Sequence, residues 1–275
     1  MLASEGPVDL VQAFALPIPS LVICEMLGVP YAERAEFQQR SAVLVSVDLP
    51  DEVVMRASDE LSEYMAGLVI AKQADREDDL LSRMITRAEE QGRPLSVEEA
   101  VSMGITLLIA GHETTANMIG LSTLALLRAP DQLDALRNDP EVAPTAVEEL
   151  LRYLTVIQFG LFRYALEDIP LGDETIKAGE YLVAAISSGN RDERVFPDPD
   201  QLDLSRKASA HLAFGFGPHQ CLGQQLARVE LQEVYTRLYS RIPTLRLAVP
   251  FEDIKFKDNT LVYGVRALPV TWDRE

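Results

Sequence analysis

The chain is poor in the side chains that hold metals or cross-link a fold: 275 residues include two cysteines, Cys24 and Cys221, and three histidines, His112, His211 and His219. Two thiols so far apart in sequence exclude a disulfide framework and a multi-cysteine zinc or iron–sulfur site. His219 lies two residues from Cys221 on one loop, which is not a zinc-ligand spacing. Basic residues are also short, 25 against 43 acidic ones, and the resulting net charge of −18 repels phosphate backbones and anionic lipid surfaces. Nucleic-acid and membrane partners are therefore not expected. No apolar run reaches the roughly 18 residues that span a bilayer, and the N-terminus has no basic-then-apolar secretory pattern, so the expected compartment is the cytoplasm. There is no internal repeat and no low-complexity linker, and the length suits one domain over residues 1–275.

The pattern that is present is mainly helical, with a small β region late in the chain. Residues 16–45 and 52–90 carry apolar positions at three-to-four spacing, broken by Pro30 and Pro50. Ser96 and Glu99 form a capping box that opens a helix running to Arg128, about 50 Å at 1.5 Å per residue. Residues 101–110 are apolar on nearly every face, as in a helix crossing an interior. A further helix is expected over residues 144–155. Short β segments follow at 161–165, 175–176 and 181–186, then a coil to about 209, a helix over 222–240, and strands and turns to the end. The helical part is thus about 16–155 and the β-rich part about 156–275.

Three clusters interrupt this pattern. The stretch Phe214-Gly215-Phe216-Gly217-Pro218-His219-Gln220-Cys221-Leu222-Gly223 has glycines that let the backbone turn and approach a bulky planar group. It ends in a thiol aimed at by the positive end of the following helix, an arrangement that stabilises a thiolate metal ligand. In the long helix, Ala110-Gly111-His112-Glu113-Thr114-Thr115 places polar groups where leucines would pack better. Gly111 allows close approach to its backbone, and Thr114 and Thr115 can bond back to earlier carbonyls and distort the helix, or simply satisfy themselves in a core. Third, Glu149 and Arg152 share a helix face at i and i+3, which in isolation reads as a surface ion pair. Cys24, in an apolar helical stretch, reads as a small buried hydrophobe.

Together, the order F-G-x-G-x-H-x-C-x-G, preceded by E-x-x-R and by A-G-x-E-T-T on a long helix, resembles cytochrome P-450, in particular its soluble bacterial class. The resemblance runs from about Val8 to the end and implies the fold of that family. It implies Cys221 as axial thiolate on the iron of haem b, with Phe214 beside the sulfur and Gly215, Gly223, Ala110 and Gly111 against the macrocycle. Arg163 and His219 would bond haem propionates, and Glu113 and Thr114 would belong to a proton-delivery relay. Glu149, Arg152 and Arg206 become a buried structural group. Thr106 and Ile109, with Val156, Ile157, Gln158 and Phe159, would line the substrate pocket. The implied activity is insertion of one atom of O₂ into a small organic substrate, by hydroxylation or epoxidation, in bacterial secondary metabolism. Electrons would come indirectly from NAD(P)H through a ferredoxin-type partner and its reductase.

One departure stands out. The early W-x-x-x-R or H-x-x-x-R helix of the family has no counterpart here, the single tryptophan being Trp272. The expectation is a C-terminal piece lacking the N-terminal third, with apolar surface exposed where the missing part would lie. Two alternatives accompany this reading: a non-catalytic remnant of such an enzyme, and an unrelated enzyme with Cys221 as nucleophile and His219 as base.

Overall fold

The structure is a computed structural model that describes residues 6–273. The fold is mainly helical with small antiparallel sheets. It comprises two compact units, Met1–Leu124 with Thr244–Glu275, and Ala125–Pro243.

In the first unit, strand β1 (Val8–Asp9) and a π-helical turn (Val11–Ala15) lead into helices α1 (Pro17–Leu27), α2 (Arg34–Leu44), α3 (Asp51–Ala74) and α4 (Leu80–Glu90). Pro30 and Pro50 lie outside these helices, each immediately before the turn or helix that follows, where a fixed φ is tolerated. Helix α5 (Val97–Leu127) opens on the capping box: Ser96 Oγ accepts from the Glu99 amide at 3.1 Å and Glu99 Oε2 accepts from the Ser96 amide at 2.9 Å. Ile23, Leu27, Phe37, Leu61, Met65, Val69, Leu81, Ile85 and Leu108 form one buried cluster contributed by α1 to α5.

Helix α4 is anchored by a buried ion group. The Asp79 side chain caps it by accepting from the Ser82 amide at 2.7 Å, and the other carboxylate oxygen meets the buried Lys72 Nζ at 2.9 Å. Lys72 also pairs with Glu77.

The second unit starts within the last turn of α5 and holds α6 (Pro130–Asn138) and α7 (Ala143–Leu154). It continues with strands β2 (Leu161–Tyr164), β3 (Ile169–Leu171), β4 (Glu174–Ile176) and β5 (Tyr181–Ala184), then α8 (Ile186–Gly189) and α9 (Gln224–Arg241). β2 pairs antiparallel with β5, Leu161 opposite Ala184 and Tyr164 opposite Tyr181, and β3 pairs with β4. α9 packs on α6 and α7, burying Leu231, Val234, Tyr235 and Leu238 from its own face. The final strands β6 (Arg246–Leu247) and β7 (Pro269–Thr271) belong to the first unit, where β7 lies between β1 and β6.

Three details differ from the sequence expectation. The apolar stretch 101–110 is not interior on all sides, since Ser102, Met103, Thr106 and Ala110 are exposed; the fully buried stretch of α5 is Thr115 to Leu124, one cluster later. Pro130, a stop signal for α5, is also the first residue of α6, where the missing N–H costs nothing. Ile186 begins the short α8 and is not the end of a strand.

Candidate active site

The glycine loop of the second unit is closed by its own backbone. The Cys221 amide donates to the Phe214 carbonyl at 2.8 Å, and the Gly215 amide to Leu212 at the same distance. Gly215 and Gly217 have φ of +70° and +82°, the left-handed region that side chains with a Cβ avoid. A Cβ on Gly217 or Gly223 would meet nothing within 4 Å, so open space fronts both positions. Cys221 is a free, exposed thiol three residues before α9 begins, so the positive end of that helix lies on its side. Phe216 and Leu222, on either side of it, are 85% and 87% exposed, which is unusual for large apolar groups.

Strand β2 borders the loop, because a Cβ on Gly215 would lie 3.7 Å from Leu161 Cδ1. Arg163 on this strand is exposed, and its Nη1 donates to the Phe162 carbonyl at 2.8 Å. His219 is exposed within the 3₁₀ turn Gly217–His219.

These residues fit a haem. They supply one soft sulfur donor, three glycines without a Cβ at Gly215, Gly217 and Gly223, apolar flanks, and two groups able to bond carboxylates. Among the described residues no set of three His, Cys, Asp or Glu side chains could hold a bare metal ion.

The loop is braced by a polar network that the sequence alone did not reveal. Phe214 packs against His211, ring centroids 5.7 Å apart, and under the Arg228 guanidinium at 4.6 Å. His211 Nδ1 accepts from the Ala213 amide at 3.1 Å, so the ring proton sits on Nε2, which donates to Glu148 at 3.1 Å. Arg228 on α9 completes the group with bonds of 2.6 and 3.1 Å to the two oxygens of Glu148 on α7. Burial would raise the Glu148 carboxyl, but the hydrogen bonds from His211 and Arg228, with the Arg228 charge, outweigh it and bring it down to about 2. Glu148 and Arg228 are 80 residues apart, and no local spacing announces such a pair.

Next to Glu148 in sequence, Glu149 points about 100° around the helix and serves a different group. Glu149 and Arg152 are both fully buried and form a forked pair, Nε to Oε2 at 2.7 Å and Nη2 to Oε1 at 2.8 Å. This is not the surface pair their spacing suggests in isolation. Arg206 Nε joins at 3.1 Å from Glu149 Oε1. The remaining donors of Arg152 reach the carbonyls of Asn190 and Pro199 at 2.8 and 2.9 Å, and Arg206 binds those of Pro197 and Asp198. The coil that follows α8 is thereby wrapped on two guanidinium groups. Asn190, buried, donates to Thr155 Oγ1 and accepts from the Leu212 amide, tying the end of α7 to the residues just before the glycine loop. Beyond α7, Val156, Ile157 and Gln158 are half-buried and Phe159 is exposed.

In the first unit, the cluster on α5 is a continuous α-helix. Thr114 Oγ1 donates to the Ala110 carbonyl at 2.7 Å, adding a bond without breaking the ladder, so the expected distortion is absent. Gly111 does permit close approach, but the group that uses it is Ile23 of α1: a Cβ on Gly111 would lie 2.8 Å from Ile23 Cδ1. Glu113 is buried; Asn117 Nδ2 donates to its Oε2 at 3.1 Å, and Lys257 Nζ lies 3.7 Å from the same oxygen. Ile109 is half-buried beside the exposed Thr106 and Ala110.

Comparison with known proteins agrees with this geometry. The family model for cytochrome P-450 matches residues 48–267. Cytochrome P-450-SU2 of Streptomyces griseolus is 52% identical over 272 residues, covering 99% of this chain and 66% of its own length. This chain therefore spans slightly less than two thirds of that relative. Among solved structures, CYP105P1 in complex with filipin I superposes with a TM-score of 0.97 at 45% identity, covering 100% of this chain and 69% of its own. The mycinamicin VIII C21 methyl hydroxylase MycCI of Micromonospora griseorubida, bound to mycinamicin VIII, superposes at 0.94 with 44% identity, covering 98% and 69%. The loop that presents Cys221, the buried Glu149–Arg152 pair and these matches make the chain a member of the cytochrome P-450 family.

Proposed function

We propose that the protein acts as a haem-thiolate monooxygenase, placing one oxygen atom of O₂ into a small organic molecule. The observation that carries this reading is the free, exposed Cys221 on a loop opened by Gly215, Gly217 and Gly223, just ahead of α9. When bound, haem supplies the iron at which O₂ is activated, and the thiolate donates electron density toward it. Cys221 would ligate its iron, with Phe214 bracing the loop through His211 and Arg228. Arg163 and His219 would bond the propionates, where charge assistance strengthens each contact. Glu113 would store or pass a proton at its carboxyl oxygens, with Thr114, its hydroxyl bonded to the Ala110 carbonyl, as the neighbouring member of the relay. Gly111 supports α5 through Ile23, and Ala110 is the exposed small residue beside which a flat group fits.

Thr106 and Ile109 on α5, and Val156, Ile157, Gln158 and Phe159 after α7, are the proposed substrate contacts. They are mostly apolar or uncharged, which suits a bulky organic molecule of secondary metabolism. Filipin I and mycinamicin VIII, the ligands of the two solved relatives, are the first compounds to test. Electrons would arrive from NAD(P)H through a ferredoxin and its reductase. Among the described residues no helix is long and apolar enough to cross a membrane, in keeping with a cytoplasmic enzyme. Family membership disfavours the alternative of an unrelated enzyme with Cys221 as nucleophile and His219 as base.

The test is spectroscopic. Protein loaded with haem, reduced and exposed to CO should show the strongly red-shifted Soret band of thiolate-ligated iron, and Cys221→Ala should lose it. A band at the position of nitrogen-ligated haem in the unaltered protein would overturn the reading.

A further inference from the structure

His112 has no role in the function just described, and its surroundings are specific. The side chain is fully buried. Its Nδ1 lies 2.7 Å from the Leu108 carbonyl one turn earlier, and a carbonyl oxygen can only accept, so Nδ1 carries the proton. In the neutral ring Nε2 is then a bare lone pair, and among the described residues it has no hydrogen-bond partner. Buried acceptors left unmatched are uncommon and cost about 1–3 kcal/mol. Glu113 Oε1 lies 3.9 Å from this nitrogen, while Glu113 Oε2 is held by Asn117 and faces Lys257. The charged groups facing the ring are thus Glu113 from α5 and Lys257 from the C-terminal segment; from α2 comes the apolar edge contact of Phe37, ring centroids 5.5 Å apart.

We propose that His112 is a positioning residue for Glu113, the two side chains sharing one proton between Glu113 Oε1 and His112 Nε2. The proposal rests on the reading of Glu113 as a proton carrier. With Glu113 protonated, closing the gap by about 1 Å gives an O–H to N hydrogen bond of ordinary length. Transfer breaks the Oε1–H bond and forms the Nε2–H bond. The carboxylate left behind is paired with Asn117 and Lys257, the imidazolium with Leu108, and the total charge of the pair is unchanged. Burial, aided by the charge of Lys257, holds the ring below the usual histidine range against the opposing pull of the Leu108 bond and Glu113. The ring is therefore kept neutral, with Nε2 open to accept a proton.

The three histidines make this measurable, because ¹⁵N-histidine spectra of the haem-loaded, reduced CO form contain few ring signals, and His112→Gln assigns one pair. The expected result is a neutral Nδ1–H ring at pH 7 whose Nε2 shift shows a step as Glu113 ionises. Glu113→Gln should abolish the step, and Lys257→Met should move it to higher pH, since the cation no longer favours the carboxylate. An Nε2–H ring, or a His112 titration identical in Glu113→Gln, would overturn the proposal. If His112→Gln fails to fold, Glu113→Gln and Lys257→Met leave the ring in place and still decide the matter. The readout needs no turnover, and the CO spectrum reports separately on the haem reading, so either can fail alone.

Discussion

Arg152 concentrates more on one side chain than any other residue of the second unit: both oxygens of Glu149, and the carbonyls of Asn190 and Pro199, all without exposure to water. Guanidinium geometry is what permits this, a planar fork with donors left over on its far edge. Arg152→Lys keeps the charge but has one nitrogen where several are needed, leaving a buried carboxylate half matched. Urea unfolding should show a loss of about 3 kcal/mol. At this scale the sequence was informative where partners are local and silent where they are not. Glu149 and Arg152 are three apart and could be paired on paper, whereas Glu148 with His211 and Arg228, across 63 and 80 residues, leave no spacing to read. The nature of the local pair also escaped the spacing alone, because burial depends on what packs over the helix.

Among the elements, α5 was the most legible, since its start is written in Ser96 and Glu99 and its length in an absence of proline. Ser96→Ala removes one half of the reciprocal cap and should cost about 1 kcal/mol, read as a lower thermal midpoint with helix content otherwise kept. Helix α6 was missed for the opposite reason: it is short, mostly polar, and begins on the proline that marks the end of its predecessor. The exposed strip Ser102, Met103, Thr106 and Ala110 could not be read from apolar content, because a helix of uniformly moderate hydrophobicity does not declare which face is covered. The glycine loop was legible because its conformation demands particular residues, and the left-handed Gly215 and Gly217 are where the sequence places them.

On the scale of the whole molecule, two carboxyls, half-buried Glu148 and buried Glu230, set opposite pH limits. Glu148, held down to about 2, binds fewer protons folded than unfolded, so its contribution is present above its ordinary value of 4.5 and is lost as pH falls from there toward 2. Glu230 on α9 is buried, its Oε2 has no hydrogen-bond partner, and burial pushes it up to about 7. Its folded form keeps a proton that the unfolded chain releases, so stability falls as pH rises from 4.5 through 7, by about 3 kcal/mol at the upper end. Glu230→Gln should therefore raise the thermal midpoint at pH 8 and leave it nearly unchanged at pH 4.5; an equal effect at both would show that ionisation is not the cause. The thiols divide as sharply as the carboxyls. Cys24 is 1% exposed and its thiol is pushed up to about 11 by burial, while Cys221 is open. A maleimide offered to the folded chain has one address, the same sulfur that would ligate iron, so the fraction of chains that gain the adduct mass counts how many molecules in a preparation have yet to take up haem.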